Sequence, residues 1–178
     1  MTSTVSVAEL TKHIGEFTDT MTAGMKRSVR KHFKEYMLGI MILPEFSRKS
    51  ISSISSLVSE YDQSTINRAF HGIDSPLLEQ NYIAFLKTVI GNHRVMFIGD
   101  DTMLGHPGSK TMEYVGWFFD HASGSNVLAH QSITSVLYDL DTDIFYPFLT
   151  RFYVKRAQSE KEFKTKLEIM EEIMKNLI

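Results

Sequence analysis

Two adjacent carboxylates, Asp100 and Asp101, follow a compact apolar run at residues 95–99 and precede Thr102. Burying a charge loses its hydration, so an acidic pair there needs a hydrogen-bonded, ion-paired or metal-bound partner. Successive side chains of a strand point to opposite faces, so the two carboxylates cannot easily share one metal ion and only one is expected to act in a site. An acidic pair that simply ends a strand at a turn is the alternative interpretation.

A second group of chemically active side chains is the basic run over residues 26–34, which reads Lys-Arg-Ser-Val-Arg-Lys-His-Phe-Lys. The net charge of the chain is −2, so affinity for nucleic acid would depend on such a local concentration of cations. Cations on helix faces supply the salt-dependent part of DNA binding, although a solvated helix face explains the run equally well. The predicted phosphate contacts are Lys26, Arg27, Arg30, Lys31, Arg48, Lys49 and Arg68.

Two further sets of polar residues are assigned ordinary structural roles. One is a set of histidines whose spacing matches no recognised zinc motif and which no cysteine assists, so strand and loop positions are favoured over a metal site. The other is a set of aspartates in a polar loop, which are expected to be solvated. The histidines are His106, His121 and His130, and the aspartates are Asp139, Asp141 and Asp143.

Four aromatic side chains cluster shortly after the acidic pair, at Tyr114, Trp117, Phe118 and Phe119. They could form either a hydrophobic core or a platform on which nucleic-acid bases stack. Central strands of a sheet are commonly buried on both faces, so the sequence favours the core.

Composition restricts the class of protein. The chain has 178 residues, of which 43% are hydrophobic and 22% charged. No stretch approaches the roughly 20 consecutive apolar residues of a membrane-spanning helix, and residues 1–10 lack the features of a secretory signal. The absence of cysteine excludes disulfides and thiolate metal sites. The sequence therefore predicts a cytoplasmic protein with no membrane partner.

The elements that must position these residues fall into two parts, and the first is helical. Apolar residues recur at three- and four-residue spacing over residues 6–90, and the breaks carry helix-stop signals. A short helix over residues 65–70 is predicted to be capped by Asp62 or Ser64, and Ser75 is predicted to cap the next one. A short helix after a turn suggests a helix-turn-helix arrangement, as any helical bundle can.

The second part has the period of β-strands. Residues 95–99 are predicted as a buried strand, residues 103–111 as a turn, and residues 114–121 and 127–138 as two further strands. Short connections between them indicate a three-stranded antiparallel meander. Residues 144–154 are apolar and aromatic, and are predicted to be an irregular or strand-like extension.

The last predicted element is a helix that begins with a capping box formed by Ser159 and Glu162. The fold class is therefore α+β, with a helical region over residues 1–91 and a strand-rich region over residues 92–178. The predicted apolar face of this helix comprises Phe163, Leu167, Met170, Ile173, Met174 and Leu177.

A longer pattern surrounds the acidic pair and extends from residue 36 to the end of the chain. Its downstream pieces are Asp100-Asp101-Thr102, Gly105, Gly108-Ser109-Lys110, the strand at 114–121, the turn at Gly124 and the strand at 127–138. Its upstream pieces are Tyr36-Met37-Leu38-Gly39, Arg48-Lys49-Ser50-Ile51 and Ser64-Thr65-Ile66-Asn67-Arg68-Ala69-Phe70. In this order the pattern resembles the DDE transposases of insertion sequences related to the IS4 and IS701 groups.

The resemblance implies an RNase H-like catalytic domain, here incomplete, behind a helical region that contacts DNA. The family's first metal ligand is the aspartate of an acidic-Asp-Thr motif, which corresponds to Asp101. Such enzymes use two divalent cations, Mg²⁺ or Mn²⁺, to cut the transposon end and transfer the freed strand to target DNA, and hard cations prefer oxygen ligands. Lys110 is predicted to contact a phosphate near the metal, with a solvent-exposed lysine as the alternative.

The resemblance also places the family's second aspartate and its glutamate beyond residue 178. A C-terminally truncated transposase that binds transposon ends but is inactive alone is therefore expected. The alternatives are a non-catalytic DNA-binding protein or regulator derived from a transposase, and an α/β protein unrelated to DNA. A sheet edge left open for a further strand would favour a homodimer.

Overall fold

The computed structural model describes residues 6–44, 50–58, 60, 62–108, 112–159, 161 and 163–177. The chain divides into two compact units, Met1–Val89 and Ile90–Ile178. The described residues form helices and an antiparallel sheet of four strands, which confirms the predicted α+β class. The elements are α1 (Val7–Met21), α2 (Arg27–Ile42), α3 (Ile51–Val58), α4 (Gln63–Phe70), α5 (Ser75–Ile90), β1 (Val95–Gly105), β2 (Gly116–Asp120), β3 (Ser125–Asp139), β4 (Ile144–Tyr153) and α6 (Lys166–Lys175).

Side-chain caps begin most helices of the first unit. The carboxylate of Asp62 accepts the N–H of Thr65 at 2.9 Å, so Asp62, one of the two predicted caps, begins α4. The prediction of Ser75 as the cap of α5 is wrong, because the carboxylate of Asp74 accepts the N–H of Leu77 at 3.0 Å and Ser75 is already helical. An aspartate satisfies an otherwise unpaired N–H as well as serine does, and adds a negative charge at the positive helix end.

The first unit is held together by close packing of α2 against α3 and α4. Ile54 of α3 and Ile66 of α4 are fully buried. Gly39 lets α3 approach α2, since a Cβ there would lie 2.3 Å from Cγ2 of Ile54. Tyr36 and Phe70 pack edge to face with 4.8 Å between ring centroids. No helix of the described segments is long and apolar enough to span a membrane.

The sheet is organised around β3. Strand β1 pairs with residues 129–139 of β3, and β4 pairs with residues 131–139 along the opposite edge. The short strand β2 continues that second edge by pairing with residues 125–129. In the described part of the chain no strand pairs with the outer edge of β1, so self-association at that edge stays a prediction.

The predicted membership of the meander needs correction. The long antiparallel strands are β1, β3 and β4, whereas β2 has only five residues. Strand β1 runs through Asp101 to Gly105 instead of turning near Met103, and β4 is a full strand that pairs with β3. The pairing of β3 with β4 shifts in register next to Pro147, which lacks the N–H that a regular ladder requires. Because of this proline, the sequence predicted only an irregular or strand-like extension where β4 lies.

Helix α6 covers one face of the sheet, and it starts later than predicted. Its capping box is formed by Thr165 and Glu168, and Ser159 lies in a preceding turn, while Glu162 falls outside the described residues. The buried positions are Ile169 and Ile173. The predicted apolar face is therefore wrong in part. Leu167 is 77% exposed and Met174 is 46% exposed.

The prediction of three solvated aspartates after β3 is wrong for Asp139, which is fully buried. Burial raises the pKa of its carboxyl, but hydrogen bonds from the side chains of His93 and Thr142 and from backbone N–H groups of the turn lower it to about 2. Asp141 is ion-paired with Arg94, at 2.8 Å. Asp139 thus ties the β3–β4 turn to the segment preceding β1.

Two helix-interior glycines provide a matched test of the packing in the first unit. Gly39→Ala should lower the free energy of unfolding by about 1–3 kcal/mol, because the added methyl group overlaps the buried Ile54. Gly15→Ala should raise it by about 0.5–1 kcal/mol, because only the flexible end of Lys34 must move and alanine favours the helix. Urea denaturation of both variants measures the two changes. If the free energy of unfolding changed in the same direction in both variants, this account of the α2–α3 contact would be wrong.

Candidate functional site

Asp101 lies within β1 opposite Ile133 of β3, and its side chain is on the sheet face that α6 covers. Asp100 belongs to the opposite face, where its Oδ1 accepts the N–H of Asp101 at 2.8 Å. The alternation of side chains along a strand thus separates the two carboxylates, as the sequence predicts. Only Asp101 faces the helix.

The Asp101 carboxylate has two strong polar partners. Its Oδ2 accepts hydrogen bonds from Nε2 of Gln131 and from Nζ of Lys166, each at 2.6 Å. Lys166 is the first residue of α6, so the docking of that helix determines the charge beside Asp101. The hydrogen bond from Lys166 is the main cause that holds the pKa of Asp101 below its ordinary value. The carboxylate is 39% exposed and so remains open to solvent.

A cavity of about 310 Å³ opens beside Asp101, and we call it the Asp101 cavity. Asp101, Gln131 and Lys166 form one part of its wall, and Asp120 and His121 at the end of β2 form another. The Asp120 oxygens accept the N–H groups of the following turn, and a hydrogen bond with the side chain of the turn serine is the main cause that lowers the pKa of Asp120. The Asp120 carboxylate therefore stabilises the turn that follows β2.

These residues do not fit the divalent cations implied by the resemblance. Within the described segments, no group of three or more histidine, aspartate or glutamate side chains is placed to hold a metal ion. The ammonium of Lys166 lies 2.6 Å from the carboxylate oxygen that a cation would need. A hard cation requires several oxygen ligands, and Asp101 provides one carboxylate. Further carboxylates would have to join Asp101 before two metal ions could bind.

A second cavity, of about 460 Å³, lies between the end of α1 and the basic side of α2, and we call it the basic cavity. Four cations line it, together with Met25 and Asp19. Arg30 is ion-paired with Asp19 at 2.9 Å, yet its Nε is buried with no hydrogen-bond partner among the described atoms. The cations are Arg27, Arg30, Lys31 and Lys34.

The start of α2 adds to this positive potential. Lys26 occupies the N-cap position and provides no side-chain hydrogen bond, and the first turn contains no acidic residue. The unpaired N–H groups of a helix start carry about half a positive charge. By contrast, α1 and α6 begin with capping boxes whose glutamates oppose this charge. The basic cavity therefore lies next to a helix start whose charge is not neutralised locally.

The structure brings together some of the predicted phosphate contacts. Arg27, Arg30 and Lys31 meet in the basic cavity with Lys34, the last residue of the basic run. Arg68 folds back along α4, where its guanidinium donates to the Ser64 carbonyl and the Thr65 hydroxyl. The predicted contacts that lie outside the described residues are Arg48, Lys49 and Lys110.

The prediction that the aromatic cluster is core is wrong for two residues. Trp117 is 61% exposed and Phe119 is 52% exposed, whereas Phe118 between them is 6% exposed. β2 is a short strand covered on one face only, so its alternate side chains remain in solvent. No signal in the sequence predicts this exposure, because Trp117, Phe118 and Phe119 are three consecutive aromatic residues without an apolar–polar alternation.

No protein-family model matches the chain, and comparisons with curated proteins and with solved structures find no match. The assignment of a function therefore depends on the geometry of the Asp101 cavity, the basic cavity and the exposed aromatic side chains.

The ion pair between Lys166 and Asp101 can be tested by titration. Lys166→Met should raise the pKa of Asp101, because the variant removes the hydrogen bond and the positive charge that stabilise the carboxylate. Lys164→Met is the matched control, since Lys164 pairs with Glu172 instead. Carboxyl-carbon NMR of the native protein and both variants measures the pKa. An Asp101 pKa that is the same in the Lys166 variant and the native protein would exclude the ion pair in solution.

The sign of the stability effect follows from the same pair. Because the pKa of Asp101 is lowered in the folded state, the stabilisation is present above the ordinary aspartate pKa of about 4 and is lost as the pH falls through the lowered value. The native protein and the Lys166→Met variant should therefore differ in stability at neutral pH and converge in acid.

Proposed function

We propose that this chain acts on DNA as a transposase of the DDE type. In this proposal the helical unit contacts phosphates, and Asp101 is one carboxylate of the catalytic site. The position of Asp101 is the observation that carries the proposal. It lies on the first of three long antiparallel strands, on the face covered by the helix that follows them, beside an open cavity. A carboxylate held on a strand face beside an open cavity supports a role for Asp101 in a catalytic site.

The basic cavity supports contact with DNA. Arg27 and Lys34 are separated by seven residues of helix, which rise by about 10 Å. One DNA strand carries a phosphate about every 3.4 Å along the axis, so this length corresponds to about three phosphates. Within the described residues neither of these two cations has an ion-pair partner, so both can exchange solvent for phosphate oxygens. Binding of this kind is independent of base sequence and weakens with salt.

Asp101 can contribute a carboxylate ligand to DNA cleavage, but only after a change around it. The cations of such enzymes supply positive charge to the attacking and leaving oxygens. Here Lys166 neutralises the Asp101 carboxylate, and Gln131 fixes its orientation. For Asp101 to act as a ligand, Lys166 must withdraw and further carboxylates must join it.

The Lys166 ion pair also favours a second candidate function, that of a non-catalytic DNA-binding protein. The two strong hydrogen bonds satisfy the Asp101 carboxylate, so its presence in the strand requires no metal ion. Under this alternative the basic cavity retains its role, and the Asp101 cavity has only a structural one. The two functions differ in whether Asp101 contributes to the binding of divalent cations.

Salt-dependent binding of duplex DNA tests the role of the basic cavity. Arg27→Gln and Lys34→Gln should each weaken binding and reduce the slope of log affinity against log salt by about 1, because each removes one phosphate contact. Asp19→Asn should strengthen binding, because it releases Arg30 and removes the one acidic group that lines the described wall of the cavity. Fluorescence anisotropy with a labelled duplex measures both quantities.

The matched control for these variants is Lys87→Gln, which makes the same change of charge on α5. It should leave the slope unchanged. If this control and Arg27→Gln reduce the affinity equally, the effect is one of net charge and the basic cavity is not the DNA contact.

Cation binding distinguishes the two candidate functions. In the presence of DNA, whose phosphates add oxygen ligands, Asp101→Ala should lower Mn²⁺ binding to the level of the DNA alone if the chain is a transposase. Asp100→Ala is the control, because that carboxylate lies on the opposite face of β1. Electron paramagnetic resonance of Mn²⁺ measures the bound fraction. Equal Mn²⁺ binding by the native protein and Asp101→Ala, with DNA affinity unchanged or slightly raised, would favour the non-catalytic protein.

A further inference from the structure

The face of the sheet opposite α6 is uncovered. Helix α6 packs on the face that contains Asp101, Ile133 and Leu137. The strand register places the even-numbered side chains of β3 on the other face, together with their partners on β1, β2 and β4. Seven large apolar side chains of that face are 40–61% exposed, and we call this surface the open face. They are Met96, Ile98, Leu104, Trp117, Phe119, Phe145 and Phe152.

The open face has the composition of the centre of an interface. Aromatic residues and methionine are enriched at such centres, and charged residues are depleted. Among the described residues of this face, Asp100 has the only carboxylate, and no lysine or arginine is present. Asp100 belongs to the outer strand β1, where it can remain at the rim of an interface. Because phosphates require cations, a nucleic acid or an anionic membrane does not suit this surface.

The polar side chains between the apolar ones already have partners within the sheet. The imidazole of His130 is hydrogen-bonded to His106 at 2.9 Å and to the Glu113 carbonyl at 2.6 Å. The hydroxyls of Thr102 and Thr134 lie 3.0 Å apart and bond to each other. Covering these groups leaves them hydrogen-bonded, so the cost of removing them from water is small.

The exposed area of the open face is sufficient for a stable dimer. Complete burial of a phenylalanine or tryptophan side chain removes about 150–250 Å² from water. At 51–61% exposure, the four aromatic side chains together still present about 450 Å², so two copies joined through them would bury about 900 Å². The methionine, isoleucine and leucine of the face and their polar neighbours bring the total above the roughly 1,000 Å² of a specific interface.

The shape of the face suits a second sheet. Two sheets pack face to face when the side chains of their inner faces interdigitate, with the sheets about 10 Å apart. The rings of Tyr138 and Phe145 stack with 4.5 Å between centroids, so this part of the face is ordered before any association. In a two-fold dimer each copy contributes the same patch, so an apolar and nearly uncharged face meets an identical one.

We propose that a second copy of this chain covers the open face, so that the two sheets pack as a β-sandwich about a two-fold axis. This interface goes beyond the function proposed above and does not depend on it. The Asp101 side chain and α6 belong to the opposite face, so they point away from the second copy. The interface also differs from pairing at the outer edge of β1, which would join two strands through backbone hydrogen bonds.

Association in solution tests the proposal. Light scattering of the full-length protein without DNA should show a dimer whose dissociation constant is micromolar or lower, as for interfaces of about 1,600 Å². Trp117→Glu and Phe145→Glu should each raise this constant about 30-fold or more, the loss expected at an interface hot spot. Trp117→Phe should retain most of the affinity, because an aromatic ring still fills the interface.

Leu167→Glu is the matched control, because Leu167 is 77% exposed on α6 and the variant adds the same charge. It should leave the dissociation constant unchanged. The three substituted positions are all more than half exposed, so the variants should fold, and circular dichroism establishes that they do. Equal losses of affinity in Leu167→Glu and Trp117→Glu would refute the interface, because net charge alone would then explain them.

The fluorescence of Trp117, the only tryptophan of the chain, gives a second readout. In the dimer the indole lies in apolar surroundings, so its emission should shift to longer wavelength as dilution dissociates the dimer. Leu167→Glu should follow the same curve, whereas Phe145→Glu should show the long-wavelength emission at concentrations where the native protein is dimeric. Emission that stays constant while the dimer dissociates would place Trp117 outside the interface and overturn the proposal.

The remaining outcomes identify other occupants of the open face. A monomer at every concentration would overturn the proposal. A dimer that persists in both glutamate variants would overturn it as well, and would point to the outer edge of β1. A monomer that sediments with phosphatidylcholine vesicles, and no longer does so as Trp117→Glu, would show that a lipid surface covers the face instead of a second copy. None of these measurements involves DNA, so the function proposed above is tested separately.

Discussion

The antiparallel pairing of β1 with β3 is the constraint on which the second unit depends. Its register places Asp101 opposite Ile133 and close to Gln131, so the sheet itself provides the amide that donates to the Asp101 carboxylate. A shift by one residue would exchange the faces of Asp100 and Asp101 and turn the catalytic candidate away from α6. β3 can fix this register because it pairs along both of its edges, with β1 on one side and with β4 and β2 on the other.

The docking of α6 then decides the electrostatics at Asp101. Gly99 leaves space on β1 for Met170, since a Cβ there would lie 2.5 Å from the methionine sulfur. With Ile169 and Ile173 buried, the first residue of the helix, Lys166, is brought to the carboxylate. The apolar packing of one helix turn and the ion pair at its start are therefore coupled. Any rearrangement that freed Asp101 for a cation would have to displace the start of α6, or the Lys166 side chain alone.

Charged and exposed aromatic residues are distributed differently in the two units. Cations concentrate on α2 in the first unit, although the whole chain has a net charge of −2. The second unit instead offers one cavity with a carboxylate and one with an open indole.

The sequence by itself determined those features that depend on neighbours along the chain. Helix periodicity, capping residues and strand alternation predicted the α+β class, a cap of α4 at Asp62 or Ser64, and the opposite faces of Asp100 and Asp101. Each of these is fixed by hydrogen bonds or geometry over a few residues, so the local pattern contains the necessary information.

Only the tertiary structure decided which segments meet. Asp101 and Lys166 are 65 positions apart, and no local pattern indicates that they pair. The sequence predicted a capping box at Ser159, whereas α6 begins at the one formed by Thr165 and Glu168, with Ile169 and Ile173 buried. The exposure of Trp117 likewise depends on which strand faces remain uncovered. Such choices arise from packing and long-range strand pairing, which residue spacing alone does not encode.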